Sequence, residues 1–358
     1  MQDDEQNRDM DRHVNRPNVD TTNTTFSISD TSHEHALPFS KWWAILAGAA
    51  VGVGLRVIFR RSAMGIFETM SGVFIFLVPM AVGAITVYLA ERQKRRSWGY
   101  YIWAPASANL AFVIGTMLIL IEGMICAILI VPLFVIFGAL GGLIMGTICR
   151  VFNWPTQAVY SFVLLPVILG AIPNNHMPTN RIGVIQRSVI IDASPSTIWW
   201  QIHNARDIQP DEVKRGWMYR IGVPLPESGM TEQTPEGLVR KIRMGKGVHF
   251  EQVVTDWQEN QFVKWKYRFT KDSFPSGALD DHVRIGGRYF DLIDTSYRLI
   301  PINDHSTRVS IVMSYRVSTD FNWYADPIAR LLIGNFEEVI LDFYRNRATR
   351  NTTLITNG

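Results

Sequence analysis

Cysteine is scarce in this chain. Cys126 and Cys149 are the only two, and both sit inside apolar runs. That leaves no basis for a disulfide framework, and the two thiols read as packing residues. Net charge is also small, +3, and no basic stripe is interleaved with aromatics, which argues against a nucleic-acid partner. No Ser–His–Asp arrangement, Cys–His pair or CxxC motif is legible. Gly286-Gly287 reads as a turn, because no strand–glycine–helix context makes it a phosphate loop. Residues 1–40 are polar and nearly free of large apolar side chains, and cannot bury enough surface to offset chain entropy, so they read as a disordered polar tail. They also lack the basic start and apolar middle of a cleavable signal peptide. No cofactor and no metal site are indicated; His33-Glu34-His35 reads as part of the solvated tail.

What the chain has is apolar length. Leu110 to Cys149 carries one charge, Glu122. As a single helix the run would extend ~60 Å, against about 30 Å for a bilayer core, so it must fold back. The spans read as 42–59, 70–90, 103–121, 124–148 and 157–172, within a transmembrane domain 41–173. The fifth is short and interrupted by Pro166. Arg56 lies one turn inside the first span and can snorkel to the headgroups. With five spans, Lys41, Arg92, Lys94, Arg95, Arg96 and Arg150 fall on one side and Arg60 and Arg61 on the other. Cations mark the cytoplasmic face. The amino terminus is then on the cytoplasmic side and the carboxy-terminal domain on the opposite side; if the fifth segment does not cross, that domain is cytoplasmic.

Glu122 has two readings. In one, Ile121-Glu122-Gly123-Met124 is a tight turn and the carboxylate meets water. In the other, the third span runs on to Pro132 and Glu122 lies near mid-membrane. An ionisable group there is costly and usually functional. Cys126 would be one turn away, and Arg56 and Asn109 would be the candidate partners. Gly138, Gly141, Gly142 and Gly146 suit close helix contacts.

After a linker, 174–182, the periodicity changes. Gly183–Asp192 reads as a strand. Ser194 and Pro195 suit a helix start, and a second short helix includes Asp211 to Lys214. In QFVKWKYRF and STRVSIVMSYRV apolar residues alternate with polar ones, as in half-buried antiparallel strands. GLVRKIRMG, GVHFEQVVTDW and YFDLIDTSYRLIP are further strands. A terminal amphipathic helix follows, starting near Asp326-Pro327, with Ile328, Leu331, Leu332, Phe336, Val339, Ile340, Phe343 and Tyr344 on one stripe. Glu337, Glu338 and Asp342 fall on its solvated side. A curved sheet cannot bury its concave face alone, and the long helix can cover it.

The segment SVIIDASPSTIWWQI, the strand pair HFEQVVTDWQENQFVKWKYRF and the terminal helix resemble the SRPBCC helix-grip superfamily, which includes START and polyketide cyclase/dehydrase-like domains. The resemblance covers about 183–348, and 349–358 is a tail. The whole chain resembles bacterial multi-span membrane proteins that carry such a domain, which implies an architecture and no activity. The expected fold is thus a membrane α-helical bundle of about five spans followed by an α+β helix-grip domain, a curved antiparallel sheet around a long C-terminal helix. The resemblance implies a hydrophobic small molecule or lipid as partner. An insert, TKDSFPSGALDDHVRIGGRYFD, departs from simple members.

Trp265, Tyr267, Met313, Tyr315 and Phe336 are the expected ligand-binding residues; plain core packing would place them alike. Candidate acid–base pairs are His282 with Asp281 and His249 with Glu251. Adjacent strand residues point to opposite faces, however, so Asp281 and His282 need not converge. Membrane-anchored binding or transfer of a lipid-like molecule is the leading expectation. A cyclase/dehydrase-type enzyme, or a filled-core interaction domain tethered to the membrane, are the alternatives.

Overall fold

The structure is a computed structural model that describes residues 42–59, 66–152, 156–172 and 179–356. The polar tail 1–40, Arg60, Arg61 and most of the linker lie outside the described residues.

Apolar helices come first: α1 (Trp43–Ile58), α2 (Val78–Gln93, entered through a wide helical turn at Val73–Leu77), α3 (Tyr100–Leu118), α4 (Met124–Val151) and α5 (Thr156–Ala171). Three of them, counting α2 with its wide turn, are long and apolar enough to cross a membrane: Val73–Gln93, α3 and α4. α1 and α5 have 16 residues each, about 24 Å of helix. Glycine sets the closeness of α2 to α4. A methyl on Gly83 would strike the Gly138 carbonyl, and one on Gly141 would strike the Met80 backbone. Phe112 of α3 stacks on Phe134 of α4 with ring centroids 5.5 Å apart.

The second half begins with β1 (Arg181–Ile191) and α6 (Pro195–His203). Ser194 caps α6, its hydroxyl accepting from the Thr197 amide at 3.3 Å. Next come β2 (Asn204–Ala205), α7 (Pro210–Val213), α8 (Trp217–Arg220), β3 (Pro226–Thr234), β4 (Gly237–Met244), β5 (His249–Gln258), β6 (Phe262–Arg268), β7 (Phe290–Asn303), β8 (Ser306–Val317) and α9 (Asn322–Thr356). The strands form one antiparallel sheet in the order β1-β8-β7-β6-β5-β4-β3-β2. The alternating apolar residues face inward: Val263 and Trp265 of β6, and Val309, Ile311, Met313, Tyr315 and Val317 of β8, are all buried. Ile333, Val339, Ile340, Phe343 and Tyr344 of α9 complete this core. β2 and β3 carry too few large apolar residues to show period two; β3 is held by its backbone ladder to β4.

Three expectations for α9 need correction. It starts at Asn322, four residues before Asp326. Asp326 is therefore internal and buried, accepting from the Tyr315 hydroxyl at 2.6 Å and pairing with Arg181 and Arg330. Leu331 is exposed rather than on the core stripe, and Glu337, expected on the solvated side, is fully buried.

The sequence insert turns out to join the two halves. Asp280 accepts from the Cys126 amide at 3.0 Å, Tyr289 donates to Glu68 at 3.2 Å, and Arg288 pairs with the same Glu68. The turn before α9 adds Asp320, which accepts from the Gly72 amide at 2.9 Å, and the first turn of α9 adds Tyr324, which donates to the Leu129 carbonyl at 2.6 Å. Gly123 at the N-cap of α4 has no side chain to offer its first amides, and Asp280 supplies the missing acceptor. A methyl on Gly123 would collide with that carboxylate.

Candidate functional site

Under α9 the sheet is not filled. A cavity of about 290 Å³ lies between α9, the strands and the first turns of α4, at the small end of the range for ligand pockets. α9 contributes Ile328, Ala329, Leu332 and Phe336. The sheet contributes Trp265 and Tyr267 of β6 and Met313 of β8. The third wall is Ile125, Cys126, Leu129, Ile130 and Leu133 of α4. The cavity is therefore shared by both halves of the chain.

Four of the five expected ligand-binding residues, Trp265, Tyr267, Met313 and Phe336, line this space. Tyr315 does not. Its ring covers Gly183, the residue opposite it on β1, and its hydroxyl is taken by Asp326. The Tyr267 hydroxyl bonds Thr295 Oγ1 at 2.7 Å, and burial raises its pKa to about 12, so it is a neutral donor or acceptor.

The acid–base candidates do not converge. Asp281 points to solvent, its side chain 85% exposed and 3.5 Å from Arg284. His282 faces the cavity instead, with Nδ1 buried and unpartnered. Burial lowers its pKa, so the imidazole is neutral at pH 7. His249 turns outward to Asp272, with Nε2 3.4 Å from Oδ2, and Glu251 pairs with Arg268 at 2.7 Å. Neither lines the cavity.

Glu122 combines parts of both expectations. It lies in the turn between α3 and α4, yet it is half-buried there rather than free in water. Arg56 reaches it with Nε and Nη2, each 2.6 Å from Oε1, and the two side chains are only 5% and 15% exposed. Arg56 therefore turns inward rather than to headgroups. Asn109 is elsewhere, donating to the carbonyls of Pro79 and Pro105. Donor atoms of Glu122, Cys126 and His282 come within 4.8 Å of one another at the cavity edge. The Glu122 charge is already met by Arg56, so a metal ion there would have to share it. Cys126 and Cys149 are free and buried.

Sequence reasoning missed Arg240. It lies in the cavity wall, with its guanidinium against Gly229, and is buried. The available signal was period two along β4, where Arg240 shares a face with Ile242 and Met244.

The strand order, the bent antiparallel sheet and the covering α9 give the second half of the chain a helix-grip fold. No protein-family model matches the chain, and no curated protein matches its sequence. Among solved structures, a START superfamily protein from Mycobacterium smegmatis is similar at 13% identity, over 47% of this chain and 97% of that one, with a TM-score of 0.32. An aromatase/cyclase from a Streptomyces species matches at 11% identity, over 48% and 96%, with a TM-score of 0.30. A norcoclaurine synthase from Thalictrum flavum matches at 13% identity, over 45% and 96%, with a TM-score of 0.26.

Proposed function

We propose that the chain is a membrane-anchored protein that binds or transfers a hydrophobic, lipid-like small molecule. One observation carries the reading: the apolar cavity of the helix-grip domain is walled by α4, a helix of spanning length. α4 has 28 residues and is ~42 Å long. It exceeds a bilayer core of about 30 Å by roughly two turns. The turns that line the cavity are its first ones. With the rest of α4 in the bilayer, the cavity stands at the membrane surface, which shortens the aqueous path of an insoluble guest.

The ends of the bundle support the proposed sidedness. The domain docks on Glu68, Gly72, Cys126 and Leu129. The cations gather at the opposite helix ends, where Arg150 donates to the Arg96 carbonyl and Arg95 to the Cys149 carbonyl. α1 and α5 also cross, the cationic end is cytoplasmic, and the domain lies outside a bacterial inner membrane.

Mass spectrometry of lipid extracts from the purified full chain, with saturable uptake of a fluorescent lipid by the chain in nanodiscs, tests the proposal. Absence of both a co-purifying apolar guest and saturable uptake sinks it. One observation favours a second reading, an enzyme of the cyclase or dehydrase type: the buried His282 facing the cavity, with Nδ1 unpartnered. It requires that His282→Ala abolish turnover while guest binding persists.

A further inference from the structure

The cavity is apolar over nearly all its walls, yet it holds a guanidinium without a counter-ion. Arg240, in the middle of β4, is 7% exposed. Its Nη1 donates to Gln252 Oε1 at 3.0 Å and its Nη2 to the Tyr344 hydroxyl at 2.9 Å. Its Cζ lies over the Trp265 ring, 5.1 Å from the centroid. Among the described residues no carboxylate is within ion-pair distance of it.

Three unpartnered groups that can donate, its own Nε included, lie on the cavity wall. Arg240 Nε has no partner, and neither do the Trp265 indole Nε1 and the Tyr219 hydroxyl. All three side chains line the cavity. Each of the three groups can donate, and Nε and Nε1 can do nothing else. The neighbouring His203 adds no charge: burial, reinforced by Arg240, lowers its pKa to about 4. One buried positive charge and a surplus of donors therefore face an apolar space. A buried charge without a partner is strongly unfavourable, and a guest that supplies the partner recovers that cost on binding.

The complement is a group that brings acceptors and one negative charge. A carboxylate brings both, in a planar shape that suits the guanidinium fork. A phosphate monoester brings up to two charges against one cation. Resting on the binding reading above, we infer that the guest is a single-chain amphiphile ending in a carboxylate, whose head group pairs with Arg240 and whose tail fills the apolar remainder of the cavity.

The test titrates radiolabelled palmitate, and separately radiolabelled palmityl alcohol, against the full chain in nanodiscs, with empty nanodiscs as the partition blank. The chains match and only the head groups differ. The wild type binds palmitate at least about tenfold more tightly than the alcohol. Arg240→Met weakens palmitate by about 30-fold or more, while the alcohol changes by less than about threefold. Tyr219→Phe removes one donor without touching the charge, and weakens palmitate selectively by about threefold to tenfold. It keeps the test open if Arg240→Met does not fold. Equal binding of acid and alcohol, unchanged in both variants, overturns the inference and leaves the binding reading standing. Saturable binding of neither probe by the wild type defeats the binding reading itself.

Discussion

Glu337 ties the stability of the fold to pH. It sits midway along α9 with no solvent exposure, and neither carboxylate oxygen meets a donor at hydrogen-bonding geometry. Burial raises its pKa from 4.5 to about 8, and the charge of Arg187 and the backbone of Met313 oppose that too weakly to cancel it. The folded chain therefore keeps this proton at neutral pH, whereas the unfolded chain releases it above pH 4.5. Between those two values the folded state binds more protons than the unfolded one, so stability falls as pH rises. The loss is complete once the pH passes about 8. At ~1.4 kcal/mol per pH unit, the interval sets a ceiling of ~5 kcal/mol, and structural relaxation brings the expected loss to ~2–4 kcal/mol. Glu337→Gln keeps the shape and cannot ionise. Wild type and variant are then equally stable below pH 4.5, and the variant gains steadily to pH 8. The gain corresponds to a rise in Tm of roughly 5–15 °C. Thermal unfolding of the full chain in nanodiscs, followed by tryptophan fluorescence from pH 4.5 to 9, reads the difference. A gap between the two proteins that stays constant with pH refutes the reasoning.

Asp280→Ala removes the acceptor that caps α4, at a cost of about 1 kcal/mol, and exchange of the Cys126 amide with solvent should quicken about fivefold; an unchanged rate would show that the docking contact is not formed. Ala329→Phe puts a ring into the cavity. It should abolish uptake of a fluorescent lipid while unfolding free energy falls by less than ~1 kcal/mol, because the space is open rather than packed; a large loss of stability with binding intact would show a filled interior.

Much of the fold was legible because burial repeats with the period of each element. The strands around Val263 and Trp265, and around Val309 to Val317, follow from alternation alone. α6 follows from Ser194 and Pro195 at its start. The site was less legible. Cavity and core share one face of the sheet, so period two cannot tell Trp265, which borders open space, from Tyr315, whose hydroxyl is drawn to Asp326. The role of the insert rests on pairings between residues far apart in the chain, such as Asp280 with Cys126 and Tyr289 with Glu68; no local pattern encodes them. The Arg56–Glu122 pair was half visible: a charge in an apolar run must find a partner or water, and both outcomes were open until α1 was set beside the α3–α4 turn. Arg240 was readable in principle as a lone cation on an apolar strand face.

The account stands on an oily guest occupying space enclosed jointly by α9, the sheet and α4. A fatty acid carrying a photoreactive diazirine near its tail, bound to the full chain in nanodiscs, irradiated and mapped by peptide mass spectrometry, tests this most directly. The account predicts label on the first turns of α4, within Met124–Leu133, and on α9 within Ile328–Phe336, with both signals lost when unlabelled palmitate is added in excess. Label confined to the outer faces of α1 to α5, and indifferent to competitor, would contradict it.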